Sequence, residues 1–104
     1  MENYILLKVK AGRLSQWKKW CDDLMTIRNK EASTSLSAEN VLREQCILFT
    51  AEDTSYVLGT IEFFGEPRKG DASLPINIEH LKQREECLET FATGVLLYTV
   101  KAKK

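Results

Sequence analysis

At 104 residues the chain is sized for one domain with one hydrophobic core, so residues 1–104 are read as a single unit. An apolar share of 43% and a charged share of 29% suit a folded globule rather than a disordered segment. Lys plus Arg and Asp plus Glu are both 15, and that zero net charge argues against nucleic acid, whose phosphates call for a basic surface.

Tyr4 to Lys10 is β-rich and apolar and reads as a strand, broken by Ala11-Gly12-Arg13. From Leu14 the apolar period changes to 3.6, with Trp17, Trp20, Cys21, Leu24 and Ile27 on one side, so a helix is expected to about Ala32. Val41 to Thr50 is a second strand. Ala51 to Ser55 is a gap of hairpin length, and Tyr56 to Phe64 is a third strand, antiparallel to the second. Gly65 to Asn77 holds both prolines and two of the five glycines, and forms the longest loop. A second helix follows, with Asn77 as N-cap and Ile78, Leu81, Leu88 and Phe91 on its apolar side. Gly94 ends it, and Val95 to Val100 is the fourth strand.

This βαββαβ order defines an α+β, ferredoxin-like fold: a four-stranded antiparallel sheet with two helices on one face. A sheet with one wet face should alternate apolar and polar residues. These strands do not. The first sets Ile5, Leu7 and Val9 against Tyr4 and Leu6; the third sets Val57, Ile61 and Phe63 against Tyr56, Leu58 and Phe64. Both faces are apolar, and self-pairing of two copies, sheet against sheet, is the expected cover. No apolar run reaches the roughly 20 residues that span a bilayer, so no membrane partner is expected. The acidic start Met1-Glu2-Asn3-Tyr4 shows no secretory signal, and Cys21, Cys46 and Cys87 have no C-x-x-C spacing. Reduced thiols in a cytoplasmic protein are expected, each packing as a small apolar residue.

Three stretches carry a resemblance: V-K-A-G-R-x₃-W from Val9 to Trp17; a run through Arg28, Glu31, Leu36, Glu39, Val41, Glu44 and Phe49; and Pro75-Ile76-Asn77-x-x-His80. On these the chain resembles the dimeric α/β-barrel superfamily, in which two ferredoxin-like subunits face their sheets together. Within it, the likeness is to an uncharacterised family of short bacterial proteins. The superfamily includes cofactor-independent monooxygenases, haem-degrading enzymes, mutarotase-like proteins and non-catalytic binding proteins, so the resemblance implies a fold and a pocket between helices and sheet, not a reaction. Its haem-degrading members use a histidine on the second helix, the region of His80.

The candidate ligand-binding residues are Arg28, Glu31, Glu44, His80 and Arg84. Arg28 and Glu31 continue the stripe of the first helix at spacings of three and four, where charge is costly unless paired, and Arg28 is placed to bridge Glu31 and Glu44. The alternative is a structural ion network. His80, the one histidine, suits acid–base work at neutral pH and is the candidate catalytic residue, with Arg84 one turn on. No metal site and no cofactor is expected: no phosphate loop, nucleotide fingerprint or zinc-ligand spacing occurs. Three functions stay open. They are small-ligand binding, the ligand being polar or anionic; a cofactor-free or haem-linked monooxygenase-type enzyme; and a structural or interaction module.

Overall fold

The computed structural model describes residues 2–103. Its elements are β1 (Glu2–Val9), α1 (Leu14–Met25), α2 (Asn29–Ala38), β2 (Val41–Ala51), β3 (Thr54–Phe63), α3 (Pro75–Cys87) and β4 (Leu88–Thr93). All four strands join one antiparallel sheet in the order β2-β3-β1-β4, the strand order of a ferredoxin-like α+β fold. β2 and β4 are the edges, and a tight turn at Glu52-Asp53 closes the β2–β3 hairpin, Ala51 standing opposite Thr54.

The core lies between the sheet and α1 and α3. Leu7, Val9, Val57 and Leu88 come from the strands, and Trp17, Trp20, Ile76 and Cys87 from the helices. α1 buries its stripe because Leu14, Trp17, Cys21 and Leu24 recur every three or four residues, along one side of a helix.

The expected single helix to Ala32 is two helices. Thr26 Oγ1 donates to the Asp22 carbonyl and Asn29 Nδ2 to the Leu24 carbonyl, while the N–H groups of Thr26 and Arg28 both turn back to the Asp23 carbonyl. Polar side chains thus take over the last carbonyls of α1 and end it at Met25. The apolar period continues past that point, which is why periodicity alone does not reveal the break.

The second half differs more from expectation. α3 starts two residues before Asn77, with Leu74 as N-cap and Pro75 in the first turn, where a missing N–H costs nothing. Its inward residues are Ile76, His80 and Cys87, whereas Ile78 and Leu81 face out. The fourth strand is Leu88–Thr93, not Val95 to Val100. Burial decides this. Cys87 and Leu88 are 0% and 5% exposed, and Leu88 stands opposite Val9 in the ladder, so the chain must become extended there to keep both inside. Gly94 is therefore no helix cap. Its N–H pairs with the Tyr4 carbonyl at 2.8 Å, and a Cβ at Gly94 would sit 2.9 Å from that of Tyr4. Residues 94–103 carry no regular structure, and Val95, Leu97, Tyr98 and Val100 are exposed.

The long loop after β3 is tied down. The Phe64 N–H donates to the Asn40 carbonyl, the Arg68 N–H to the Glu39 carbonyl, and Asn40 Nδ2 to the Glu66 carbonyl. Asn40 itself takes φ 61°, a left-handed turn that asparagine tolerates better than most residues.

The register separates the two sheet faces. Leu7, Val57 and Leu48 share the helix side, while Leu6, Leu58 and Ile47, then Lys8, Tyr56 and Phe49, share the other. No element of the chain covers that second side among the described residues. Ile47, Phe49 and Phe91 are 43%, 52% and 60% exposed, and Phe91 meets Tyr56 edge-on at 5.5 Å.

Candidate functional site

A cleft of about 640 Å³ opens on the helix side, between α2, α3 and the start of β2. The helix side of β2 is only partly covered: Glu44, Cys46 and Leu48 keep contact with water, as does Leu42 at the irregularity after Val41. Leu24, Leu36, Leu42 and Ile76 give the cleft apolar walls; Ser35, Glu39, Glu44, Asn77 and His80 give it polar groups. Glu39 and Asn77 also line a second hollow of about 400 Å³ beside Gly70 and Asp71. A mostly apolar recess with a few convergent polar groups is the usual form of a small-molecule site.

His80 is the centre of the polar set. Trp20 Nε1 donates to His80 Nδ1 at 2.9 Å, and His80 Nε2 stands 3.8 Å from Glu44 Oε1. The Trp17 and Trp20 rings lie 6.1 and 5.9 Å from the imidazole. Burial, with help from the Arg84 guanidinium, lowers the His80 pKa to about 4. The ring is therefore neutral at pH 7. Because Nδ1 accepts from the indole, its one proton sits on Nε2 and points towards Glu44. Burial and the nearby Glu39 carboxylate push the Glu44 pKa up, opposed by Arg84. Position six of α3 is beyond the first turn, so desolvation rather than the helix dipole governs His80.

Ser35, 4% exposed, faces both Glu39 Oε2 at 3.0 Å and Asn77 Oδ1 at 2.9 Å. It has one hydroxyl hydrogen for two acceptors. Asn77 Nδ2 meanwhile donates to the Asp71 carbonyl, which fixes the amide with its oxygen towards Ser35. The sequence marks Asn77 as a cap; the fold uses it to join the long loop to the cleft wall.

Of the five candidate ligand residues, Glu44 and His80 line the cleft together. Arg84 acts on both through its charge without lining it. Arg28 and Glu31 form their own pair on the surface, Nε to Oε1 at 2.8 Å and the second guanidinium nitrogen to Oε2 at 3.0 Å. Arg28 does not reach Glu44. It lies 5.7 Å above the Trp20 ring and so touches the site only through that indole. Ser35, Glu39 and Trp20 as a hydrogen-bond donor are the members that sequence reasoning missed. The spacing of Ser35 and Glu39, one helical turn apart, was the available signal for that pair.

The arrangement can donate one hydrogen bond from a neutral imidazole and accept several at carboxylates and an amide. It does not suit a haem iron, because the His80 lone pair is already engaged by Trp20. Among the described residues no group of three or more His, Cys, Asp or Glu is placed to hold a metal ion, and no helix is long and apolar enough to cross a membrane. No family model matches the chain, and no curated protein matches it.

Proposed function

We propose that this chain is a small-ligand-binding protein of the dimeric α/β-barrel type, using the cleft between α2, α3 and β2. One observation carries the reading: Ser35, Glu44, Asn77 and His80 come from three separate elements and meet in one recess with apolar walls. The ligand has an apolar body and an uncharged polar end, a hydroxyl or an amide. Two carboxylates and a neutral imidazole disfavour an anion, and Arg28 and Arg84, the residues behind the anionic alternative, do not line the cleft. The ferredoxin-like strand order and the recess between helices and sheet support the superfamily resemblance. The bare apolar face supports a homodimer, its Ile47, Phe49 and Phe91 being of the kind that a second copy covers.

The test is a panel of uncharged aryl and alkyl alcohols and amides, screened for a rise in melting temperature. Binding at 100 times Kd adds about 2.7 kcal/mol. The reading expects members that stabilise the protein, remain chemically unchanged, and lose their effect in Asn77→Leu and His80→Phe. Stabilisation that survives both substitutions, or none by any member at millimolar concentration, contradicts it.

A second reading, a cofactor-free enzyme, is favoured by the His80–Glu44 pair alone, two neighbouring groups with pKa values pushed in opposite directions. It expects a bound panel member to be consumed, with turnover lost in His80→Ala.

A further inference from the structure

We propose that the polar end of the cleft's ligand donates a hydrogen bond to the Glu39 carboxylate, which Gly70 holds in place. A hydroxyl or an amide N–H is then required, and an ether, a ketone or a dialkyl amide is refused. The inference rests on the small-ligand reading above and narrows its chemistry.

Hydrogens are in short supply on this wall. Ser35 Oγ lies 3.0 Å from Glu39 Oε2 and 2.9 Å from Asn77 Oδ1. A hydroxyl has one hydrogen to give, and neither a carboxylate nor an amide oxygen has any. Among the described residues no third donor is hydrogen-bonded to either oxygen. Asn77 cannot turn its amide round, because Nδ2 donates to the Asp71 carbonyl at 2.9 Å. The Ser35 hydrogen therefore goes to Asn77, and Glu39 Oε2 faces a hydroxyl lone pair. That carboxylate is one donor short. Glu39 is half-buried and lines both the cleft and the hollow beside Gly70, so a bound molecule reaches it.

The carboxylate is also fixed. Glu39 is the C-cap of α2, and its carbonyl accepts from the Arg68 N–H. A Cβ at Gly70 would lie 2.8 Å from Glu39 Cδ, and 2.9 and 3.1 Å from the two carboxylate oxygens. Gly70 has no positive φ, so its missing side chain serves this close approach rather than a turn. The long loop thus backs onto the carboxyl group and sets its position. A ligand that displaces water from such an acceptor and returns no hydrogen bond loses affinity. Unpaired polar groups are what let a site refuse an analogue that lacks a hydroxyl.

The experiment measures dissociation constants on the whole chain by NMR titration with two matched pairs. These are benzyl alcohol with its methyl ether, and benzamide with N,N-dimethylbenzamide. In wild type the alcohol and the primary amide should bind roughly 10- to 150-fold more tightly than their capped partners, the range for a hydrogen bond to a charged group. Glu39→Met, of similar shape and with no oxygen to accept, should bring both ratios close to unity. Gly70→Ala removes no group that touches the ligand, yet its methyl displaces the carboxylate. Its ratios should fall while denaturant unfolding stays near wild type. Should Gly70→Ala not fold, the wild-type and Glu39→Met ratios decide. Equal binding within each pair overturns this inference and leaves the cleft reading standing. A wild-type preference that survives Glu39→Met overturns the assignment to Glu39. No binding by any of the four probes at millimolar concentration overturns both this inference and the reading beneath it.

Discussion

The two faces of this sheet both carry apolar residues but differ in how those residues are covered, and the second also carries the Arg43–Glu62 ion pair. On the helix side Leu7, Val9, Val57 and Leu88 are buried, and the polar groups that enter, Ser35 and His80, are held by hydrogen bonds to Asn77 and Trp20. On the other side Leu6 and Leu58, half-buried, and Ile47 and Phe49, exposed, share a surface that no element covers among the described residues. Polar residues inside and apolar residues outside are both expensive. The proposed function gives each a use: a ligand site on the first face, a second copy of the chain on the other.

Substitutions should sort by face. Trp20→Ala removes a large core ring and strands His80 Nδ1, and it should cost about 3–5 kcal/mol in denaturant unfolding. Phe49→Glu should hardly change the fold by circular dichroism, yet weaken self-association by about 2–3 kcal/mol, roughly 30- to 150-fold in the dissociation constant. If Phe49→Glu unfolds the chain instead, the contrast between the faces is wrong.

A pH titration sharpens the comparison. The unfolded chain takes up a proton at His80 from about pH 6.5 downward, whereas the folded chain does not until about pH 4. Between these values the unfolded state holds more protons, so stability falls as pH falls. About 2 kcal/mol should be lost across that window, after allowing for the 30% of the side chain that still faces water. Glu44, with its raised pKa, works in the opposite sense, so the measurement is the difference between wild type and His80→Gln, which keeps an acceptor for Trp20. A flat difference from pH 7 to 4 contradicts a neutral, desolvated His80. Smaller still, Ser35→Ala should cost about 1 kcal/mol by leaving Asn77 Oδ1 without its donor. Arg28→Ala should leave stability unchanged within error, since its pair with Glu31 is on the surface.

The first half of the chain was legible, apart from the break between α1 and α2, because its signals agree: a β-rich apolar run in β1, a 3.6-residue stripe in α1, and a polar gap between β2 and β3. The second half was not. Ile78 and Leu81 imitate a buried stripe, while the real inward positions include His80, which no apolar pattern reveals. Val95 to Val100 has the composition of a strand and lies outside the sheet, whereas Leu88–Thr93, with Glu89 and two threonines, pairs with β1. Composition reports a preference for extended backbone; which segment gains a partner depends on where the helix must end to bury Cys87. The site was half visible for a similar reason. Titratable residues can be picked out by type, but the partners that tune them, Trp20 for His80 and Asn77 for Ser35, are 60 and 42 residues away.

The most direct check of the two-faced account is the mass of the native particle at micromolar concentration, by sedimentation equilibrium, for wild type and Phe49→Glu. The account predicts twice the 11.9 kDa chain mass for the first and a shift towards the single chain for the second. A wild-type particle that stays at 11.9 kDa as concentration rises would contradict it, because the apolar face would then stand in water unaided.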